Sequence, residues 1–556
     1  MKKGTKNFLL VMAGFLGAAG LVGAGVATVG ILRQNNIKTP WDNVINNAEY
    51  KDTYVGVRFF ADGSDPVRTG VAKDFVAGIN GDKNDFDHYP VYGAMTAKKR
   101  SDGNIAVSIP EHYVKTIQAN SYVEYMMSPN QIDETWIKVE AHSIASYQAN
   151  VTFDSKGKGT LHSQKDTYAG FNFTKVEAAE YAKRGGASLN TYVDAMDLTY
   201  LQTIEFATQD MQEIFSGYTS NENKIEDALT FDMGIQKEGK TNVIRIATED
   251  FDEALGGKKA SEVLIPGFTS IAIQDSDNYV SADVATVQSF KKVNIEIEAE
   301  GSSSSSEEKE TINCYEITID RTINFEDEAE VIAERWAERQ TADGNAAEAT
   351  DYDGSQFIQI GCYVKNGLTE GLKGSSHELT EFNGVRLPKG ARPFSYRGVE
   401  NWYGNVYEWL DGVQFKTVSS ATAANVGCFV QTCEDKTLMG ESNAADAKTP
   451  DYKTIAKLTD GSGNYAAGFG EMEEGKLFPI AVTDEEEGSF HDNVGYSGGN
   501  TLSAGSNSST PADQVTLRPV YRGGDWDYGS YAGSFYLGGG GDFSGWDYSV
   551  GARLGF

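Results

Sequence analysis

The last forty residues constrain the fold more than any other stretch of this sequence. From Leu517 to Phe556 they contain eleven Gly, five Tyr, two Trp and four Asp, and they contain no Lys. The segment is too rich in Gly for a stable helix and too poor in aliphatic side chains for a core. Apolar residues at Val520-Tyr521 and at 550–554 predict two strands of one small sheet, with the Gly, Tyr and Asp residues in the connection between them. Tyr and Trp offer a large contact area at low conformational cost, so a loop of this composition on a rigid frame is typical of a binding surface.

Composition sets broad limits on the rest of the chain. Its 556 residues leave room for about three domains of roughly 150 residues each. A hydrophobic content of 40% with 11% aromatic residues is typical of a β-rich globular protein, and the net charge of −32 argues against nucleic acid as a partner. The four cysteines, Cys314, Cys362, Cys428 and Cys433, lack C-x-x-C spacing. Buried free thiols and a Cys428–Cys433 bridge are both open.

The N-terminus predicts a membrane anchor. Lys2, Lys3 and Lys6 precede residues 8–32, which carry no charge and are followed by Arg33. A run of this length can span a bilayer, and the preceding lysines would keep the N-terminus inside and place the rest of the chain outside. We expect residues 1–33 to stay attached as an anchor; cleavage as a signal peptide near Ala24 to Ala27 is the alternative.

After a polar linker at 34–50, short strands and turns predict a β-rich unit at 51–165. Tyr54 to Phe60 and Asn104 to Ile109 are its clearest strands. His88 and His112 have no partner at ligand spacing, so a structural role is expected for each.

Two helices and an inserted hairpin follow. Thr174 begins a capping box with Glu177, which predicts a helix to Lys183, and apolar spacing predicts a second helix from 194 to 215. Between about 218 and 359 lies a β-rich insertion. Strands at 293–298 and 311–317 alternate with period two around a serine-rich tip, and a helix at 325–340 should pack on this hairpin.

Three motifs near the C-terminus carry a family resemblance. Gly404 to Trp409 (GNVYEW), Arg522 to Trp526 (RGGDW) and Gly551 to Leu554 (GARL) stand in this order. They resemble the G-N-V-W-E-W, R-G-G-S-W and G-F-R-L signatures of the formylglycine-generating-enzyme (sulfatase-modifying factor) family. The resemblance implies a C-type lectin fold over 166–556 and an α+β class, preceded by the β-rich unit and a hydrophobic helix. It also implies a structural frame of Gly404, Asn405, Trp409, Arg522, Gly523, Gly524, Trp526, Trp546 and Arg553.

More narrowly, the layout resembles the variable proteins of diversity-generating retroelements and related phage tail proteins, whose last segment is rewritten by adenine-directed mutation. Many loop residues here have codons reachable from Asn codons by changing adenines. The resemblance implies a displayed protein that binds a protein or glycan ligand on a cell or phage surface, and a homo-trimer is compatible with it. The implied ligand-binding residues are Asp525, Asp527, Tyr528, Ser530, Tyr531, Tyr536, Asp542, Phe543, Ser544, Asp547 and Tyr548.

The departures from the family argue against enzyme activity. The family's catalytic cysteine pair follows R-G-G-S-W, but residues 527–533 contain no Cys, and Cys428 and Cys433 come too early in the chain. We therefore expect no catalytic residues and no cofactor. The calcium motifs of sugar-binding lectins are also missing, although a structural Ca²⁺ on acidic loops stays open. A structural virion component in the phage tail and a formylglycine-generating oxidoreductase are the alternative functions.

Overall fold

The structure is a computed structural model, and β-strands dominate it. The residues that it describes are 53–60, 64–119, 121–219, 229–237, 239–275, 280–298, 309–342, 347–419, 427–433, 452–457, 465–471, 477–483, 496–497, 514–539 and 545–556. Within these ranges the strands form several sheets, and the five α-helices are few and short by comparison. The expected α+β class was therefore wrong, because the described part of the chain is mainly β.

Most strands of the N-terminal region belong to two five-stranded sheets, and strands from later in the chain complete the second sheet. The first has the order β2-β1-β6-β5-β7, and β3, β4 and β8 belong to the second. The expected strands at Tyr54 to Phe60 and Asn104 to Ile109 are confirmed as β1 and β4. The strands of this region are β1 Val55–Phe60, β2 Val67–Gly70, β3 Ala97–Lys99, β4 Ile105–Ile109, β5 His112–Gln118, β6 Tyr122–Ser128, β7 Ile137–Val139, β8 His142–Ala145, β9 Asn150–Phe153 and β10 Gly159–His162.

Helix α1 (Lys175–Arg184) begins as expected, because Thr174 accepts a bond from the Glu177 backbone and the Glu177 carboxylate accepts one in return. After β11 (Ser188–Leu189), helix α2 (Tyr192–Phe206) is buried along most of its length. It ends nine residues before the expected Phe215, since Ala207 adopts a left-handed conformation with φ 56°. This cap turns the chain away from the helix axis.

Helix α2 also gives His112 the structural role expected of it. The Nε2 atom of His112 lies 3.0 Å from the Asp197 carboxylate, and that of His142 lies 3.4 Å from the same group. Both rings are buried, and each Nδ1 lies within hydrogen-bond distance of a backbone carbonyl oxygen. A carboxylate on the helix thus connects the starts of β5 and β8.

The insertion has its own sheet and core, and the expected hairpin is present as β16 and β17. The sheet has the order β12-β18-β14-β16-β17-β13, with β15 beside β14. The expected helix at 325–340 is confirmed as α5, and its Ile332 is buried in the core of the insertion. The elements are β12 Leu229–Asp232, β13 Thr241–Ala247, α3 Thr248–Ala254, α4 Ala260–Val263, β14 Ser270–Asp275, β15 Val280–Ser281, β16 Ala285–Glu298, β17 Lys309–Ile323, α5 Phe325–Ala342 and β18 Phe357–Ile360.

The C-terminal region contains the sheet that carries the three motifs. Its order is β26-β25-β24-β30-β31-β29, and β32 pairs with β24 in parallel. The two strands expected around the C-terminal loop are thus in one sheet, on either side of β24. The strands are β19 Ser376–Glu378, β20 Glu381–Phe382, β21 Val385–Arg386, β22 Phe394–Tyr396, β23 Val399–Glu400, β24 Tyr407–Ser419, β25 Gly427–Thr432, β26 Lys453–Lys457, β27 Tyr465–Glu471, β28 Leu477–Thr483, β29 Tyr496–Ser497, β30 Gln514–Gly523, β31 Gly533–Gly538, β32 Val550–Ala552 and β33 Leu554–Gly555.

The C-terminal strand shares a sheet with strands of the N-terminal region. β33, at the C-terminus, pairs with β8 of the N-terminal region on one side and with β11 on the other. The β-rich region that begins at residue 53 is therefore connected to the C-terminal motifs through backbone hydrogen bonds as well as side chains.

The expected hydrophobic helix at 8–32 lies outside the described residues. In the part of the chain that the structure describes, no helix is both long enough and apolar enough to cross a membrane.

Candidate recognition surface

The three motifs converge on one buried carboxylate. Glu408, in β24, lies opposite Arg522 of β30 and Gly551 of β32. Its Oε2 accepts a hydrogen bond from Arg522 at 3.2 Å, and its Oε1 accepts one from Arg553 at 2.9 Å. All three charged side chains are at most 1% exposed. One carboxylate therefore holds the strands that begin and end the C-terminal loop.

Two guanidinium groups on one carboxylate leave an excess positive charge, which backbone carbonyl oxygens offset. Arg522 donates to the carbonyls of Trp402 and Ser534, and its guanidinium carbon lies 3.7 Å from the centre of the Trp402 ring. Arg553 donates to four carbonyls, including those of Ala145 and Ser146 in the N-terminal region. Burial lowers the pKa of Arg522 to about 10 despite the opposing effect of Glu408. At neutral pH the guanidinium is still charged.

Asn405 and Gln148 connect this frame to the rest of the molecule. The Asn405 side chain accepts from the backbone of Val364 at 2.9 Å and donates to Gln148 at 2.6 Å. Gln148 in turn donates to the carbonyls of Gly404 and Val406 and to the Glu408 carboxylate. The motif at 404–409 is thus a buried hydrogen-bonded unit. Satisfied networks of this kind rigidify a core.

Two glycines direct the chain from β30 into the loop. Gly523 and Gly524 have φ of 91° and 78°, which L side chains rarely adopt. A Cβ on Gly524 would lie 2.5 Å from the Cβ of Ala532, so no larger residue fits there. Next to them, Trp526 is buried at 5% exposure, and Trp409 donates its indole N–H to the carbonyl of Phe173. Frame residue Trp546 is half-buried and packs against the core of the insertion.

A cluster of five tyrosines lies on this frame, and we call it the tyrosine cluster. Its members are Tyr407, Tyr521, Tyr528, Tyr531 and Tyr536. Tyr407 contacts the rings of Tyr521, Tyr528 and Tyr536 at centroid distances of 4.9, 5.4 and 5.7 Å. Tyr528 contacts Tyr536 at 4.9 Å and Tyr531 at 5.8 Å, and the hydroxyl of Tyr536 donates to that of Tyr528 at 3.0 Å. The cluster leads from the buried sheet to solvent, since Tyr536 is 1% exposed and Tyr531 is 45% exposed.

The remaining expected ligand-binding residues are distributed unevenly. Asp527 is exposed, Asp547 and Tyr548 are half-buried, and Asp525 is buried at 7% exposure. Ser530 lies in the helical turn Gly529–Tyr531, and the structure describes its backbone only. The expected residues Asp542, Phe543 and Ser544 lie outside the described residues. The structure thus brings Tyr528, Tyr531 and Tyr536 into one cluster, in which Tyr536 supports the others from beneath.

The aspartates at the base of the loop are held in an environment that disfavours their charge. Burial, with Asp547 and Asp527 nearby, raises the pKa of Asp525 to about 7, although hydrogen bonds from Ser549 and from the Asp527 backbone oppose this. Burial also raises the pKa of Asp547, whose carboxylate accepts two bonds from Ser549. The charge of the loop therefore changes near neutral pH.

The segment that follows the insertion supports the far end of the loop. Tyr363, which follows β18, donates its hydroxyl to the carbonyl of Tyr548 at 2.8 Å and stacks on Phe171 with ring centroids 4.8 Å apart. Its neighbour Cys362 is fully buried, and burial raises the pKa of that thiol well above its usual value, with Asp527 and Asp525 adding to the effect. Cys314 is likewise a buried free thiol.

Sequence reasoning missed several residues of this site. Tyr407 and Glu408 lie inside the G-N-V-Y-E-W motif, so their position in the motif could have identified them as part of the frame. Tyr521 precedes R-G-G-D-W directly. Tyr363 and Gln148 lie far from the motifs, and no local signal predicts their contacts. In the described ranges no group of three or more His, Cys, Asp or Glu side chains is placed to hold a metal ion.

Comparison with known proteins adds no further identification. Neither a protein-family model nor a curated protein sequence matches the chain.

Proposed function

We propose that the tyrosine cluster and the adjoining aspartates form a recognition surface that binds a protein or glycan ligand. One observation carries the proposal: Tyr531, 45% exposed, contacts Tyr528 at the outer end of a cluster whose inner members are fixed on the buried frame. Large aromatic side chains that are already held in place contribute contact area without much further loss of conformational freedom.

The order of exposure along the cluster supports a division of roles. Tyr536 is buried and positions Tyr528 through a hydroxyl–hydroxyl hydrogen bond, whereas Tyr531 and Asp527 face solvent. In this arrangement Tyr528 and Tyr531 supply affinity, because aromatic residues dominate binding energy at interfaces. Asp527 tunes specificity, since an exposed carboxylate favours ligands that present a hydrogen-bond donor or a positive charge.

The charge of the surface favours a particular ligand chemistry. Asp527 is exposed in the loop, and the whole chain has a net charge of −32. An anionic ligand would be repelled, so the ligand region in contact should carry cationic groups or hydroxyl donors. Basic protein surfaces and neutral glycans both meet this condition.

We further propose that the chain is displayed on a cell surface or on a phage particle and that its loop is diversified. The resemblance to retroelement variable proteins supports this, and so does the contrast between the solvent-facing Tyr531 and Asp527 and the buried frame around Glu408. A near-copy of the DNA encoding residues 517–556, differing only at adenines and adjacent to a reverse-transcriptase gene, is the genomic observation that tests it.

The binding experiment uses the full chain, biotin-labelled, on a glycan array and on a panel of intact bacterial cells. The double variant Tyr528→Ala/Tyr531→Ala should lose at least about tenfold in affinity for any target that the wild type binds, because the two rings supply the main contacts. Phe153→Ala is the matched control. Phe153 is 54% exposed on β9, in a different sheet, and its removal should leave binding unchanged.

Three other outcomes would contradict the proposal. Equal binding by the double variant and the wild type would exclude the tyrosines from the contact. Disrupted particle assembly with no effect on target binding would favour a structural virion component. Aldehyde formation on a cysteine-containing sulfatase peptide would favour an oxidoreductase.

A further inference from the structure

The β16–β17 hairpin extends beyond the sheet that holds it. The two strands pair as far as Glu298 and Lys309. Strand β13 pairs with the outer edge of β17 and reaches Cys314, but it goes no further toward the hairpin tip. On the other side, β14 and residues 267–269 before it bond to the outer edge of β16 as far as Val287 and no further. Among the described residues no strand pairs with the outer edge of β16 from 289 to 298. This part of the hairpin is a two-stranded ribbon.

A two-stranded ribbon without a further strand beside it is unusual in a folded protein. Two antiparallel strands are marginally stable in water, and a third strand with an apolar face is normally required. An uncovered edge also presents unpaired N–H and C=O groups to another chain. The apolar side chains of the ribbon are half-buried and share one face: Val293, Ile295, Ile297 and Ile312.

The sequence along β16 indicates what covers this edge. From Lys292 to Glu296 it reads KVNIE, and this segment is complementary to itself in the antiparallel direction. Centred on Asn294, antiparallel pairing places Lys292 opposite Glu296 of a second copy and Val293 opposite its Ile295. Opposite charges and apolar side chains directly across an antiparallel pair both stabilise it.

Antiparallel self-pairing along the outer edge of β17 gives no such match. Centred on Thr311, two copies of β17 would place Glu310 opposite Ile312 and Lys309 opposite Asn313. Neither of these two pairs nearest the axis is favourable, whereas both pairs nearest the axis are favourable in β16. The outer edge of β17 is therefore a poorer site for self-pairing, although the next pairs of β16, Lys291 with Ile297 and Phe290 with Glu298, are not complementary. The edge of β16 is also accessible, because the Lys292 and Glu296 side chains are 54% and 65% exposed.

We propose that a second copy of this chain pairs along the outer edge of β16, antiparallel and centred on Asn294, so that two ribbons form one four-stranded sheet. The contact is two-fold symmetric, so each edge is used once and the assembly closes as a dimer. The present intrachain partners of Lys292 and Glu296 are Asp252 and Lys309, at 2.9 and 3.3 Å. Exposed pairs of this kind contribute little and can exchange partners.

Charge reversal on the full chain tests the register. By light scattering coupled to size-exclusion chromatography, the wild type should have about twice the chain mass of 60.4 kDa. Lys292→Glu and Glu296→Lys should each weaken the dimer by at least tenfold in dissociation constant, because each places like charges opposite one another twice. The double variant should restore it. A monomeric wild type, a trimer insensitive to these changes, or a double variant no better than the single ones would overturn the proposal.

Disulfide trapping tests the same contact without relying on loss of assembly. Asn294→Cys should form a disulfide-linked dimer on mild oxidation, since the two copies of residue 294 lie opposite each other at the symmetry axis. Asn313→Cys is the matched control, because Asn313 is also exposed and lies opposite Asn294 within the ribbon. It should cross-link no more than the wild type, and preferential cross-linking at 313 would contradict the assigned edge.

Discussion

Replacement of Glu408 by Gln tests the buried frame most sharply. Gln has nearly the same shape, so the change removes a charge without creating a cavity. Arg522 and Arg553 would keep their bonds to carbonyl oxygens but would lose their shared counter-ion at 3.2 and 2.9 Å. Arg522 would then be buried without a hydrogen-bonded counter-ion, and Arg553 would keep only its electrostatic attraction to Glu400.

The expected size of the effect follows from the burial of the three groups. A pair of opposite charges 4 Å apart contributes roughly 4 kcal/mol at an effective dielectric constant of 20, and the cost of desolvating the carboxylate offsets part of this. Removing one partner of a buried pair typically costs about 3–5 kcal/mol. We therefore expect Glu408→Gln to lower the free energy of unfolding by about 4 kcal/mol.

Urea unfolding followed by Trp fluorescence measures this, because Trp402 stacks on Arg522 and reports on the frame directly. The control is Glu370→Gln, which removes a carboxylate from an exposed pair with Lys165 and should not change the unfolding midpoint. If the two variants unfolded at the same urea concentration, the claim that Glu408 holds the frame together would be refuted.

Three further predictions concern the loop and helix α2. Gly524→Ala should lower the free energy of unfolding by about 1–3 kcal/mol in urea titrations, because its φ of 78° and the contact with Ala532 both exclude a Cβ. The pKa of Asp525 is raised to about 7, so its proton is bound more tightly in the folded state, and stability should fall as pH rises from 3.8 to about 7. Melting temperatures across that range should vary less for Asp525→Asn, and an unchanged profile would contradict the assignment. Burial opposes the charge of His112, but Asp197 raises its pKa above 6.5, so the pair should stabilise the fold below pH 6.5 and lose this effect as pH rises through the folded-state pKa. Titration of His112 by NMR measures this, and a pKa at or below 6.5 would contradict it.

Local signals in the sequence predicted several elements correctly. The capping box of Thr174 and Glu177 lies within four residues, so nothing outside α1 is needed to define its start. The β16–β17 hairpin was predictable because strands of period two flank a polar tip. In both cases the determining interactions are close in sequence.

The end of α2 shows where periodicity misleads. Met211 and Phe215 continue the apolar spacing of the helix, and both are fully buried as the spacing requires. They reach the core from a short turn beyond Ala207, however, and not from the helix itself. Burial of a residue and its secondary structure are separate questions, which the pattern alone does not distinguish.

The fold class and the loop were harder for a similar reason. Strands of two or three residues, such as β20 and β33, are too short to show alternation, so the dominance of β structure was not visible. The composition of the loop predicts that Tyr536 and Asp525 are exposed, but both are buried. Tyr536 packs against Tyr407, and Asp525 lies beside Asp547 and Ser549. Such contacts join distant segments, and no single-sequence pattern reports them.

A saturation scan of residues 517–556 with two readouts, folding and ligand binding, tests the central claim most directly. The account predicts that residues 522–524 and Arg553 tolerate almost no change for folding. It predicts that Asp527 and Tyr531 tolerate most substitutions for folding, while the same substitutions alter binding. Folding that fails on substitution at 527 and 531, or binding that is indifferent to them, would contradict it.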